Sequence, residues 1–256
     1  MQRTAAVSVL GWVLLAACSA SAPDETAAGL EPTAPVSSTQ EQASIVEPAP
    51  QTKANLKSAD ATGYFVPGMQ LPAAVSLEPG KVARDSYGRP WTYERLGDTL
   101  PAFSGRTTED EVFNSEDLRG RWTVIEVWGI WCHDSMRDAK YAAALATALD
   151  QDPAIDFLTV HTPQNAAKAD QATKSYDSVA DWLSEKGDSF KTLVDTDASL
   201  RDALSIRWTP TYLVISPDLT VEGFRTGLAD AGDHAVKTFV RDISETRADW
   251  TARQGR

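Results

Sequence analysis

Apolar and polar positions along the chain change period several times, and each change marks an element. Trp122-Thr123-Val124-Ile125-Glu126-Val127-Trp128 is a nearly continuous apolar and β-branched run, which predicts a strand buried on both faces. It gives way at Gly129-Ile130-Trp131-Cys132 to a stretch from Ser135 to Leu149 rich in good helix formers, with Met136, Ala139, Ala143, Ala146 and Leu149 near helical spacing. Cys132 is therefore expected where a buried strand hands over to a helix N-terminus. Ile155 to His161 predicts a second strand, Ala172 to Lys186 a helix with Tyr176, Val179, Ala180 and Leu183 on one stripe, and Phe190 to Val194 a short strand. Ser199 to Ile206 reads as a short helix, and Thr211 to Ile215 is strongly β-prone. Pro217-Asp218 makes a turn, Val221 to Arg225 returns as the antiparallel partner, and Ala235 to about Thr246 closes the chain as a helix. Strands alternating with helices and then a terminal hairpin predict an α/β fold with a mixed central sheet, parallel in its middle and flanked by helices.

Before this pattern the chain reads differently. Residues 80 to 98 predict a small hairpin, Val82 to Arg84 and Pro90 to Leu96 about Asp85-Ser86-Tyr87-Gly88, with Trp91 and Tyr93 on one strand face. Order is expected to begin near Tyr64. From Ser19 to about Thr62 there is no aromatic residue, and Ala, Pro, Ser, Thr and Glu dominate; such a segment buries too little apolar area to offset its ordering entropy and reads as a flexible linker. Residues 1–18 carry one positive charge, Arg3, then an apolar run from Val7 to Leu15, too short to span a bilayer as a helix. The ending Leu15-Ala16-Ala17-Cys18 resembles a bacterial lipobox, which implies acylation of Cys18, a lipid anchor on the periplasmic side of a membrane, and no spanning segment after cleavage. An ordinary signal peptide cut near Ala20 or Ala22 is the alternative, and it too exports the protein. The expected organisation is a signal peptide over 1–18, a linker over 19–62, an N-terminal extension over 63–99 and the α/β domain over 100–256.

Charge and cysteine usage narrow the function. The 256 residues hold 24 Lys and Arg against 36 Asp and Glu, a net charge of −12, which argues against nucleic acid as the main partner because phosphate binding needs a basic face. Only 2 cysteines exclude a disulfide framework and a zinc site of four cysteines or of paired cysteines and histidines. With Cys18 in the leader, Cys132 is the single thiol of the folded part.

The stretch Ile125 to Ser135, reading I-E-V-W-G-I-W-C-H-D-S, resembles the active-site strand and turn of thioredoxin-like proteins, in which W-C-x-x-C opens the first long helix and an acid lies six positions before the first cysteine. Leu100-Pro101-Ala102-Phe103-Ser104 followed by Asp117 to Trp122 is similar to the entry of the membrane-tethered TlpA/ResA-type branch. Ile206-Arg207-Trp208-Thr209-Pro210-Thr211 is similar to that family's cis-proline loop, and Ser216-Pro217-Asp218 to the turn after its fourth strand. The resemblance covers about Leu100 to Leu228. It implies a thioredoxin-like fold, thiol-disulfide exchange on protein or low-molecular-weight disulfides and thiols, no cofactor and no metal. It also implies a nucleophilic Cys132, a proton-shuttling Glu126, and a partner groove formed by Trp131, His133, Thr209 and Pro210.

The departure from the family pattern is Ser135, which stands where the resolving cysteine would be. A helix-start cysteine faces unsatisfied N–H groups and the positive end of the macrodipole, both of which favour thiolate. It can attack a disulfide, but release of the mixed disulfide needs a second thiol. Four readings follow. The first is a monothiol enzyme in which Ser135 hydrogen-bonds the sulfur and an external thiol resolves the adduct. The second is a non-catalytic binding or chaperone module using the cis-proline groove. The third is a single-cysteine peroxidase, against which Gly129 counts, because peroxidatic sites of this fold resemble T-x-x-C. The fourth is metal transfer through Cys132 with His133 or His161, which one thiol and adjacent ligands serve poorly. His161, at the end of a central strand, is expected to be capped or solvent-facing. His234 is expected to cap the last helix or face solvent. Trp128 and Trp131 match family positions beside the thiol and Trp208 flanks the proline loop, whereas Trp122, Trp182 and Trp250 read as core or helix-face residues.

Overall fold

The computed structural model describes residues 63–71, 82–232 and 234–255; the expected signal peptide with Cys18 and the expected linker lie outside these residues. In chain order the elements are β1 (Tyr64–Phe65), β2 (Ser104–Thr107), β3 (Val112–Asn114), β4 (Trp122–Trp128), α1 (His133–Leu149), β5 (Ile155–His161), α2 (Val179–Lys186), β6 (Thr192–Val194), α3 (Ser199–Ala203), β7 (Thr211–Ile215), β8 (Val221–Thr226) and α4 (Ala235–Gln254). Short 3-10 turns occupy Ser115–Leu118 and Ala166–Gln171. The eight strands form one mixed sheet in the order β1-β8-β7-β4-β5-β6-β2-β3. Pairs β4/β5 and β5/β6 are parallel, and the remaining pairs are antiparallel.

β4 is the central strand and every residue in it is buried. Its period of two divides the core. Ile125 and Val127 point with Leu158, Val160, Leu213, Ile215 and Phe224 to one face, covered by Leu200, Leu204 and Tyr93. Trp122 and Val124 point with Tyr212 and Val214 to the other, covered by Leu145 and Leu149 of α1 and Phe239 and Ile243 of α4. Each fully buried aliphatic side chain of this kind contributes about 1.5–3 kcal/mol of burial. A third cluster of Trp128, Ile130, Val179, Trp182 and Leu183 packs where β4 leaves the sheet.

The structure departs from the sequence pattern in four places. The N-terminal hairpin is a single antiparallel bridge, Arg84 to Pro90, closed by Asp85 and Arg89, and the expected second strand to Leu96 becomes turns. Trp91 and Tyr93 are drawn to different partners, the first beside Phe65 at 6.2 Å and the second stacked on Phe224 at 5.4 Å. The helix expected from Ala172 begins only at Val179: Lys174 takes φ +55, and the Ser178 hydroxyl caps the helix by accepting from Asp181 N–H at 3.0 Å. The β2–β3 hairpin was not legible, since Ser-Gly-Arg-Thr has no apolar alternation; its backbone pairs with β6 instead. Helix α4 runs past Thr246 to Gln254 because Trp250 packs edge-on against Trp122 at 5.5 Å and Arg253 pairs with Glu222 at 2.6 Å.

Candidate active site

At the C-terminal end of β4 the chain turns through Gly129, Ile130 and Trp131, and Cys132 becomes the N-cap residue of α1 with extended backbone. The Cys132 N–H donates to Gly129 O at 2.9 Å, and Met136 N–H donates to Cys132 O at 3.1 Å, closing the first helical turn. Cys132 is free and half-buried, and its Sγ lies 3.3 Å from Thr209 O. That carbonyl belongs to the cis peptide bond Thr209-Pro210, so the expected cis-proline loop is present and faces the thiol.

Around the sulfur the turn is braced from three sides. Trp131 Nε1 donates to Thr162 O at 2.7 Å and lays the indole over Gly129, where a Cβ would stand 2.2 Å from Nε1. Only glycine fits there, and the indole fills the space that a peroxidatic threonine would take. Ile130 N–H donates to His161 Nε2 at 3.3 Å, and the imidazole meets Trp128 edge-on at 5.1 Å. His161 is thus not solvent-facing: it is buried with its Nε2 accepting from the turn, and burial pushes its pKa down to about 4, leaving a neutral acceptor at neutral pH. Ser135 is also buried, and its Oγ accepts from Gly129 N–H at 3.3 Å. Among the described residues no hydrogen bond joins Ser135 to the sulfur, so the expected Ser135–Cys132 contact is replaced by a contact to the turn.

The remaining expected residues are exposed or half-buried. His133, the first residue of α1, has an almost fully exposed side chain, 3.6 Å from Asp134. His234 sits exposed before α4 and makes no side-chain cap. Among the described residues no group of three His, Cys, Asp or Glu side chains could hold a metal ion. Trp208 is half-buried in the proline loop, where its carbonyl accepts from Thr211 Oγ1 at 2.9 Å.

Three residues that the motif did not single out complete the site. Arg201 of α3 donates through Nε to Ile206 O at 3.3 Å and through a terminal nitrogen to Gln164 O, tying the proline loop to the loop after β5. Burial lowers its pKa, and its charged surroundings include Asp202, Arg207, Asp195 and Cys132. Asp138, on α1, and Tyr212, on β7, enclose Glu126: the Tyr212 hydroxyl lies 2.7 Å from Asp138 Oδ2 and 3.2 Å from Glu126 Oε1. Burial and then the Asp138 charge hold the Glu126 carboxyl well above the usual range. Their spacing was in the sequence, six residues after Cys132 and two after Pro210, but nothing local marks either as polar machinery.

A cysteine capping the first long helix behind the central strand, with a cis-proline carbonyl against its sulfur and helices on both faces of a mixed sheet, defines a thioredoxin-like protein. Within that class the match is to a named family: the AhpC/TSA family profile covers residues 96–224, half of the chain, and the chain belongs to this family. It is similar to the thiol-disulfide oxidoreductase ResA of Bacillus subtilis (strain 168), 24% identical over 131 residues, which are 51% of this chain and 67% of that protein. Among solved structures it is similar to a putative thioredoxin from Neisseria meningitidis, at TM-score 0.46 and 19% identity, covering 58% of this chain and 89% of that one. A putative thiol:disulfide interchange protein DsbE from Chlorobium tepidum aligns at TM-score 0.45 and 18% identity over 59% of this chain and 99% of that one.

Proposed function

We propose that the protein is a thiol-disulfide oxidoreductase acting through Cys132 alone, with an external thiol resolving each adduct. The Cys132 thiolate attacks a disulfide R–S–S–R′, forming Cys132–S–S–R and releasing R′S⁻. A second thiolate R″S⁻ then attacks the sulfur of R, giving R–S–S–R″ and regenerating the Cys132 thiolate, so the substrate disulfide is exchanged with no net electron left on the protein. The observation that carries this reading is the half-buried Cys132 Sγ at the start of α1, 3.3 Å from the Thr209 carbonyl, with a buried serine where a resolving thiol would stand. The Thr209 backbone before Pro210 is the edge along which an extended partner chain would pair, with Trp131 and His133 flanking the thiol in the chain. The lipobox-like Leu15 to Cys18 supports export and a lipid anchor facing the periplasm, with residues 19–62 as the tether and 63–99 as an extension of the catalytic domain. Among the described residues no helix is long and apolar enough to cross a membrane.

The test is to trap mixed disulfides. Wild type expressed in a bacterial periplasm and quenched in acid is expected to carry disulfide-linked proteins or small thiols that Cys132→Ser lacks and that added thiol releases. No adduct at Cys132, together with alkylation no faster than that of an unstructured cysteine, would favour a groove that binds without turnover. Ser135→Cys is expected to form an internal disulfide with Cys132 and to gain reductase activity.

A further inference from the structure

The buried carboxyl groups behind Cys132 pose a problem of counting protons. Tyr212 has one hydroxyl proton and stands within hydrogen-bond distance of two carboxyl oxygens, 2.7 Å from Asp138 Oδ2 and 3.2 Å from Glu126 Oε1. Both contacts can be hydrogen bonds only if one of the acids is itself the donor. Asp138 is surrounded by donors: its Oδ1 accepts from Leu228 N–H at 2.7 Å and from Ala229 N–H, and the Arg225 guanidinium lies in its field. Glu126 has Tyr212 as its one hydrogen-bond partner among the described residues and stands against the Asp138 charge. All three side chains are 3% exposed or less. The proton therefore belongs to Glu126, and its direction runs from Glu126 to Tyr212 to Asp138.

We propose that Glu126, Tyr212 and Asp138 form a one-proton lock, in which a neutral Glu126 donates to Tyr212 and Tyr212 to an anionic Asp138, and that this lock couples protonation to the placement of the proline loop against Cys132. The lock joins three of the elements that hold the site, β4, α1 and β7. Glu126 is on β4 six residues before Cys132, Asp138 on α1 six residues after it, and Tyr212 on β7 two residues after Pro210. The far end of Asp138 holds the loop after β8, whose Gly227 N–H donates to Pro210 O at 3.1 Å. When Glu126 loses its proton, two anions confront one hydroxyl and the weaker bond to Glu126 is lost; the β4–β7 backbone pairing stays, and the tie that opens is the side-chain one from β4 to Tyr212, two residues after Pro210. The charged and titratable groups facing the lock are Asp188 from the loop after α2, Arg225 from β8, Asp242 from α4 and Tyr64 from β1, the last two acting through Arg225. Burial raises the Asp138 carboxyl as well, but the Tyr212 hydroxyl, the two backbone N–H groups and Arg225 oppose that rise, whereas only Tyr212 opposes it at Glu126. Tyr212 and Asp138 are positioning residues in this scheme, and their effect on reactivity rests on the assignment of Cys132 as the reacting group.

The experiment is infrared titration of the full chain. Wild type is expected to show a protonated-carboxyl C=O band at neutral pH that Glu126→Gln abolishes and that persists far above the usual carboxylate range. Asp138→Asn removes the opposing anion and should move the titration of that band down by about 1 pH unit or more. Tyr212→Phe should keep the band and break its link to the site: the pH profile of Cys132 alkylation, which in wild type inflects where the band titrates, should lose that inflection. A folded Asp138→Asn or Tyr212→Phe protein whose band and alkylation profile both match wild type overturns the lock, as does a wild type without a band that Glu126→Gln removes. The band does not depend on thiol chemistry and should survive Cys132→Ser, so a failed lock is distinguishable from an inert Cys132.

Discussion

Cys132 owes its setting to the residues packed around its turn. Gly129 is required by its neighbour two positions on, because a Cβ there would lie 2.2 Å from Trp131 Nε1 and 2.8 Å from two further indole atoms. Gly129→Ala is therefore expected to displace the indole, break the Trp131–Thr162 bond and destabilise the protein by about 1–3 kcal/mol, read as a lower Tm, with a changed rate of Cys132 alkylation. The resemblance to thioredoxin-like proteins made Cys132, Pro210, Glu126 and Ser135 legible as a set. It could not show that Ser135 turns its oxygen to Gly129 N–H, that His161 is buried beneath the turn, or that Asp138 and Tyr212 close on Glu126. Those contacts join residues 6, 31, 74 and 86 positions apart, and no local period encodes them.

At the scale of elements, the strands buried on both faces were the clearest in the pattern. β4, β5 and β7 have the bounds that their apolar runs suggest: β4 and β7 are buried at every residue, which excludes polar alternation, and β5 leaves only Asp156 and Phe157 partly exposed. Elements held by partners rather than by their own periodicity were not legible: β2 and β3, the last turns of α4, and β1, which is two residues long. β1 is fixed by Tyr64, whose ring lies 5.6 Å from Phe239 and whose hydroxyl meets Thr246 Oγ1 at 3.0 Å. The ring passes over Gly223 so closely that a Cβ would stand 1.9 Å from the hydroxyl oxygen. Gly223→Ala is expected to expel Tyr64 and cost about 1–3 kcal/mol. In the Tyr64→Ala background the same substitution should cost much less, because the clash has already been removed; equal costs in the two backgrounds would place the effect of Gly223 elsewhere.

For the whole molecule, the buried ionisable groups shape stability against pH. His161 has a folded pKa of about 4 against an unfolded value of 6.5, so between those values the unfolded chain binds a proton that the native state refuses. Its contribution is intact above pH 6.5 and is lost as the pH falls towards 4, about 3 kcal/mol in all. Denaturant unfolding at several pH values should show this slope in wild type, and His161→Gln, which keeps an acceptor for Ile130 N–H but does not titrate, should flatten it. The sequence by itself determined the class of fold, the central strands, the position of Cys132 at a helix start, the proline loop opposite it and the absence of a second thiol among the described residues. The strands and the helix-start cysteine follow from local period and residue chemistry, the thiol count from composition, and the fold family and the proline loop from the resemblance to thioredoxin-like proteins. Only the tertiary structure decided what surrounds the thiol: the seat of the Trp131 indole, the neutral His161, and the pairing of Glu126 with Tyr212 and Asp138. The physical reason is burial, which sets protonation and hydrogen-bond direction through groups that meet only when β4, β7 and α1 pack together.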